Sequence, residues 1–311
     1  MLSCHITVTI ILIFRAHALV RCQVWVRLML TRAASDAAGR EPLSRRYRTI
    51  FISDIHLGSR GCKADCLLDF LRHVESDYLY LVGDIVDGWR LQKKWFWPDK
   101  HAEVLNRLVA RARNGTEVIY LPGNHDEVLR KLIGRNVNGV KIRHDMIHQT
   151  ADGRRLLVVH GDAFDGVVTE MKWLALAGSV AYDFALAANT WFNIARRWLG
   201  LGYWPLSAFL KEQVKAAVKF IDNYERSLAR EARRRSVCGV ICGHVHKPEM
   251  RTIDGVFYYN DGDWVESCSA LVEHEDGRFE LIEWARQRQL DLLAPRRPAA
   301  PRSARRTAAA A

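Results

Sequence analysis

Eight residues with metal- or phosphate-binding side chains stand where apolar runs of this chain end. "RTIFISD" closes on Asp54, with His56 two residues on, and "YLYLVGD" closes on Asp84. "EVIYLPGN" closes on Asn124 with His125 next, "RLLVVH" on His160, and "VCGVICGH" on His244 with His246 to follow. Imidazole nitrogens beside carboxylate and amide oxygens suit Mn2+, Zn2+, Fe2+, Co2+ or Ni2+ better than Mg2+ or Ca2+, which prefer all-oxygen shells. Asp54, His56, Asp84, Asn124, His160, His244 and His246 are too many ligands for one tetrahedral ion and enough for two that share Asp84. Two ions about 3.5–4 Å apart can activate a water and steady the oxygens of an in-line displacement at phosphorus. In "SDIH" and "GHVH", extended residues i and i+2 point the same way, so each pair is expected to clasp one side of a site. Gly83, Gly123, Gly161 and Gly243 flank these ligands, where a missing Cβ lets the backbone turn tightly. A single histidine at a strand end is usually a satisfied surface group, and a single aspartate there usually caps a helix. Five strand ends behaving alike favour a common site.

The elements that must position these residues alternate. Between the first three apolar runs lie helical patterns, one through Asp65, Leu67, Leu68, Phe70, Leu71 and Val74, another through Val104, Leu105, Leu108 and Val109. The alternation predicts an α/β sandwich around at least one partly parallel sheet. Ligand sites in such folds lie beyond the carboxyl ends of strands, where all these residues stand. "GVFYYN" and "SALVEHEDGRFELIEW" read as a closing antiparallel hairpin turning at Asp276-Gly277.

The net charge of +11 over 311 residues is concentrated at the ends. Residues 1–50 hold eight arginines and two acids, and residues 286–311 hold seven arginines and one aspartate. The body between carries 31 basic and 32 acidic residues and is neutral, which argues against specific nucleic-acid binding. Three units are expected: a floppy extension or upstream segment over 1–47, a catalytic domain over 48–285, and a disordered basic tail over 286–311. The apolar run "ITVTIILIF" is too short to cross a bilayer, and Met29 offers an alternative start. Seven cysteines without a CxxC pair point to free thiols rather than a zinc cluster.

In their order, "DIHLG" (54–58), "GDIVD" (83–87), "GNHDE" (123–127), "HGD" (160–162) and "GHVHKP" (243–248) resemble the blocks of the calcineurin-like metallophosphoesterases. The resemblance implies a two-sheet αββα sandwich with an inserted helical cap and a dinuclear centre. Asp54, His56, Asp84 and His246 would surround one ion; Asp84, Asn124, His160 and His244 would surround the other. Mn2+ is the foremost candidate metal. A metal-bound hydroxide would be the nucleophile, so no phosphoenzyme is implied. His125 matches the family histidine near the leaving-group oxygen, and Asp126 is expected to hold its other ring nitrogen. Asp87, Asp162 and Asp165 are left without a role, and Lys247 and Pro248 are read as shaping the exit from the metal loop.

Residues 165–235 read as the cap. "WLALAGSVAYDFALAANTWFNIA" (173–195) carries one formal charge, Asp183; a single crossing would put His160 and His244 on opposite sides of a membrane, so the segment is expected to fold over the domain or lie at an interface. Leu210, Val214, Val218, Ile221, Tyr224 and Leu228 form an apolar stripe on the next helix, with Lys211, Lys215 and Lys219 on another face. Such an insert suits an amphiphilic phosphorylated substrate and peripheral contact with an anionic membrane surface, the inner face of the cytoplasmic membrane for a cytoplasmic protein. It resembles the cap of the UDP-2,3-diacylglucosamine diphosphatases of lipid A synthesis, whose less characterised relatives share "YYNDGDWVESCSALVEH" (258–274). That resemblance implies hydrolysis to 2,3-diacylglucosamine 1-phosphate and UMP. His125 stands where the characterised lipid A enzymes carry arginine. The alternative is a phosphatase or phosphodiesterase of the same superfamily acting on a nucleotide, phospholipid or phosphoprotein. Protein phosphatases show GD-x-VDRG and GNHE where this chain has "GDIVDGW" and "GNHDE". A catalytically silent membrane adaptor would have no need of every ligand.

Overall fold

Apolar runs in this chain are continuous rather than alternating, the pattern of strands covered on both faces. The computed structural model, which describes residues 45–164, 198–199 and 206–293, bears this out. Its first sheet has seven strands in the order β12-β11-β1-β2-β3-β5-β4. These are β1 (Arg45–Ile52), β2 (Val74–Leu81), β3 (Glu117–Tyr120), β4 (Asn136–Val137), β5 (Val140–Ile142), β11 (Ser269–Glu273) and β12 (Phe279–Glu283). The second sheet runs β6 (Met146–Gln149), β7 (Arg155–Val158), β8 (Gly239–Cys242), β10 (Val256–Asn260) and β9 (Glu249–Ile253). β1, β2, β3 and β5 are parallel, as are β7, β8 and β10, while β4, β6, β9, β11 and β12 pair antiparallel.

Alternate residues of each run serve different layers. Phe51, Tyr80, Val82 and Ile119 meet Leu156, Val158, Ile241 and Tyr259 between the sheets. Ile50, Ile52, Leu79 and Leu81 face outward, under helices α1 (Ala64–His73) and α3 (Asp99–Arg113). On the other side Leu157, Val240 and Tyr258 pack against Tyr224, Leu228, Ala229 and Ala232 of helix α4 (Leu206–Arg234). Helix, sheet, sheet, helix is the expected αββα sandwich. Only the C-terminal part of the anticipated stripe on α4 is buried among the described side chains; Val218 is 61% exposed. Residues 165–197 and 200–205, which include the apolar segment 173–195, lie outside the described residues. Among the described residues no helix is long and apolar enough to cross a membrane.

Three boundaries differ from expectation. The expected closing hairpin is β11–β12, with Gly277 at φ 82° in its turn, whereas "GVFYYN" is β10 and joins the second sheet. β1 begins at Arg45 rather than 48. Helix α5 (Trp284–Leu293) occupies the start of the stretch expected to be a disordered tail. The helix is anchored at its first residue, inside the expected domain, and at Arg288, inside the expected tail. Trp284 is fully buried against Phe70 and donates its indole N–H to Asp69 at 2.9 Å, and Arg288 pairs with the same carboxylate at 2.9 Å. Trp284→Ala is expected to destabilise the domain by about 3–5 kcal/mol, read from urea unfolding midpoints at unchanged m-value.

Candidate metal centre

The strand ends converge because the backbone leaves the extended region as soon as each strand stops. Among described non-glycine residues, nine have positive φ, and five are Asp54 (48°), His56 (54°), Asp84 (53°), His244 (70°) and His246 (55°). Left-handed backbone costs roughly 1–3 kcal/mol per residue unless the surroundings fix it. Backbone hydrogen bonds do so here: Asp54 N–H donates to Gly83 O at 3.0 Å, His56 N–H to Asp84 O at 2.9 Å, and Gly243 N–H to His160 O at 3.2 Å. The expectation that the i, i+2 pairs act as extended pincers is therefore corrected. Asp54 and His56 leave the extended region yet stay in one cluster, whereas His244 and His246 fall in different ones.

One cluster gathers Asp54, His56 and His246, a second gathers Asp84, His160 and His244, and a third joins Asp87 and His125 to His56 of the first, with ligand atoms within 4.8 Å of one another in each. Asp54 Oδ1 lies 3.0 Å from His246 Nε2, and the His56 and His246 Nε2 atoms are 3.3 Å apart. His160 Nε2 stands 3.4 Å from Asp84 Oδ2. Space for this approach depends on glycine. A Cβ on Gly123 would fall 2.3 Å from Asp84 Oδ1, and one on Gly83 2.3 Å from His160 Nδ1.

The residues fit divalent cations. Asp54 Oδ1, Asn124 Oδ1 and His160 Nε2 are all buried without hydrogen-bond partners, which a folded protein tolerates where a ligand satisfies them. His160 donates Nδ1–H to Val82 O at 2.8 Å, which leaves the Nε2 lone pair of the neutral ring aimed inward. Asp84 is in electrostatic reach of both groups: burial pushes its carboxyl up, and His160 and His56 more than reverse this, leaving it below its ordinary range. The same balance, burial against His246, His56 and His160, holds Asp54 well below its ordinary range.

His125 takes a different partner from the one anticipated. Its Nδ1–H donates to Asp87 Oδ1 at 3.1 Å, its ring lies 4.2 Å from Trp89, and its Nε2 is 4.0 Å from Asp84 Oδ2. Its backbone N–H donates to Asp84 Oδ1 at 2.8 Å. Asp126, expected to orient that ring, points the other way. It is fully buried and accepts from Ile85 N at 2.8 Å, Tyr120 Oη at 2.5 Å and Gly123 N at 2.6 Å. Burial and then the Asp84 charge raise its carboxyl to about 6. Asp126 thus bolts the β2 loop to the end of β3, and Asp87 is the residue that fixes the His125 tautomer. Asp87 also accepts from Arg90 N at 2.9 Å, capping helix α2 (Gly88–Lys93), and lies 3.6 Å from His56 Nδ1.

Of the residues left without a role, Asp162 pairs with Arg130 at 2.5 Å and Asp165 lies outside the described residues; Lys247, at the exit from the metal loop, pairs with Glu249 at 2.8 Å. Sequence reasoning missed a supporting layer: Ser53, Asn260 and Asp261. Asn260 Nδ2 donates to Gly243 O at 2.7 Å, and Ser53 Oγ reaches Asp54 Oδ2 at 2.7 Å. The available signal was "NDGD" (260–263), a polar run directly behind a buried strand.

The calcineurin-like phosphoesterase family profile matches residues 47–248, about two thirds of the sequence. The chain belongs to the calcineurin-like phosphoesterases. A metal-coordinating cluster within that fold makes it a metal-dependent hydrolase of phosphoric esters or anhydrides. No curated protein matches the sequence. Among solved structures, a hypothetical protein from Pyrococcus horikoshii OT3 is similar with TM-score 0.42 and 10% identity, over 80% of this chain and 94% of its own. The phosphopantetheinyl hydrolase of Mycobacterium tuberculosis gives 0.35 and 16%, over 79% and 93%. A Vps29 single mutant from Entamoeba histolytica gives 0.36 and 12%, over 75% and 97%. At these TM-scores the likenesses say nothing about what this calcineurin-like chain acts on.

Without metal, burial alone would lower His56 and His160, but Asp54 and Asp87 beside the first and Asp84 beside the second hold both at about 10. Their folded values exceed the unfolded one, so their contribution to stability is complete below about pH 6.5 and is lost as pH rises through about 10. Metal-free protein is therefore expected to lose thermal stability between pH 7 and 10. Cation binding at pH 7.5 should release about two protons, since ligating imidazoles are neutral; calorimetry in buffers of different ionisation enthalpy measures this.

Proposed function

We propose that this protein is a two-metal phosphohydrolase that works as a phosphatase or phosphodiesterase on a phosphorylated small molecule such as a nucleotide or phospholipid. The observation that carries the reading is the pair of adjoining histidine–carboxylate clusters with buried, unpartnered Asp54 Oδ1, Asn124 Oδ1 and His160 Nε2 facing in. Asp54, His56 and His246 would hold one divalent transition-metal ion, and Asn124, His160 and His244 the other, with Asp84 between them. Bound there, the two ions would acidify a water and neutralise phosphoryl charge. The chain itself supplies proton handling and orientation. His125 is clamped by Asp87 at Nδ1 and by Trp89 on its face, so Nε2 is presented on the Asp84 side. From there it can deliver a proton to a leaving-group oxygen.

The narrower reading is cleavage of the UDP-2,3-diacylglucosamine diphosphate to 2,3-diacylglucosamine 1-phosphate and UMP. It is favoured by the apolar run 173–195 and by "YYNDGDWVESCSALVEH", and it would bring peripheral contact with an anionic membrane surface. Manganese is the metal we would load first, since a mixed nitrogen and oxygen donor set accepts it.

Metal-loaded protein is expected to hydrolyse a simple phosphodiester and to lose that activity on chelation. Release of UMP from the acylated nucleotide, identified by the masses of both products, supports the narrower reading; turnover of the simple ester alone removes it. No turnover of either at saturating metal defeats the enzymatic reading. His125→Ala is expected to lower kcat by roughly 10²–10⁴-fold. Asp87→Asn should lower kcat by about 10–100-fold at nearly unchanged melting temperature, whereas Asp126→Asn should chiefly depress the melting temperature.

A further inference from the structure

Asp54 Oδ2, the oxygen turned away from the metal cluster, accepts the His244 backbone N–H at 2.7 Å and lies 2.7 Å from Ser53 Oγ. The same Ser53 Oγ lies 2.5 Å from Asp261 Oδ1, and 3.1 Å from the carbonyl of Gly262. Both carboxyl groups are fully buried. Two oxygen–oxygen contacts this short each need a hydrogen between them, and a serine hydroxyl has one to give. The second hydrogen has to come from a carboxyl group.

Its location follows from the other contacts. Asp54 already receives one donor on Oδ2, and its Oδ1 faces His246 at 3.0 Å and His56 at 3.7 Å, so its surroundings favour the charged form. Asp261 Oδ2 is buried with no hydrogen-bond partner, a setting that suits a neutral acid carbonyl and not half of a carboxylate. We infer that Asp261 is held as a neutral carboxylic acid that donates to Ser53 Oγ, whose own hydroxyl donates to Asp54 Oδ2. This one-directional chain fixes the metal-facing carboxylate. Burial raises the Asp261 carboxyl well above its ordinary range; the Ser53 contact opposes this, the Asp54 charge adds to it, and His160 opposes it. Asp261 and Ser53 are then positioning residues for Asp54, which would be restricted to binding a cation through Oδ1. The inference rests on Asp54 as a cation ligand only for its effect on affinity; the proton on Asp261 stands or falls by itself.

Because a neutral acid and a primary amide both present a hydrogen to Ser53 Oγ, the argument predicts an asymmetry between variants. D261N should bind Mn2+ within about threefold of the unaltered protein, while D261A should bind it roughly 10–100-fold more weakly, both measured by calorimetry. The infrared difference between metal-free unaltered protein and metal-free D261N at pH 7 should contain the carbonyl stretch of a protonated carboxylic acid. Carboxylate bands in that difference, or no acid band, overturn the inference, as does D261N binding Mn2+ as poorly as D261A. If D261A fails to fold, the spectrum and D261N still decide. The spectrum is read without metal or substrate, so a protein that proves to hydrolyse nothing still reports on the proton.

Discussion

Carboxylates and imidazoles crowded into a dry site are costly to assemble, and the backbone here carries much of that cost. Asp54, His56, Asp84, His244 and His246 all sit in left-handed turns that L-residues avoid. The turns persist because parallel strands run directly into them and because the loop amides bond to one another, as His56 does to Asp84. Once the turns are fixed, the side chains have little choice of direction. Buried oxygens and nitrogens without partners are the residue of that constraint, and cations answer it.

Much of this could be read from the sequence for a simple reason. A strand buried on both faces is a continuous apolar run, so its end is conspicuous, and a polar residue there needs a purpose. Asp54, Asp84, Asn124, His160 and His244 were all visible in that way. The division of His244 and His246 between two clusters came from the family resemblance and not from the spacing, which suggests an extended strand whereas the φ values are set by tertiary hydrogen bonds. Nor could Asp87 be told from Asp126 as the partner of His125. Both are acids near the ring in sequence or motif, and only the packing of Tyr120 and the amides of Ile85 and Gly123 around Asp126 separates them. The reach of α5 beyond residue 285 was hidden for a third reason: arginine-rich composition masked Arg288, which pairs with the Asp69 carboxylate.

The supporting layer behind the ligands explains why the segment after β10 is so polar for its depth. Asn260 ties the Gly243 carbonyl, Asp263 accepts the amides of Val265 and Glu266, and the Trp264 amide bonds to Asp54 O at 3.1 Å. The loop that crosses from β10 of one sheet to β11 of the other thereby braces ligands borne by both. On the opposite flank Tyr224 of α4 reaches the Gly243 carbonyl at 3.3 Å, so the helix that ends the 165–235 insertion touches the loop carrying His244 and His246.

The parallel ladder has a metric consequence. Ile52 is in register with Leu81, and Leu81 with Tyr120, so the three chains arrive at the rim one interstrand step apart, roughly 4.8 Å. The spacing of the loops that would hold the cations is then inherited from the sheet itself rather than from the reach of flexible side chains. The turns at Asp254-Gly255 and Asp276-Gly277 close hairpins at the other end of the strands. Grafting extra length there would leave that ruler undisturbed, which makes the far rim the place to add a tether or tag.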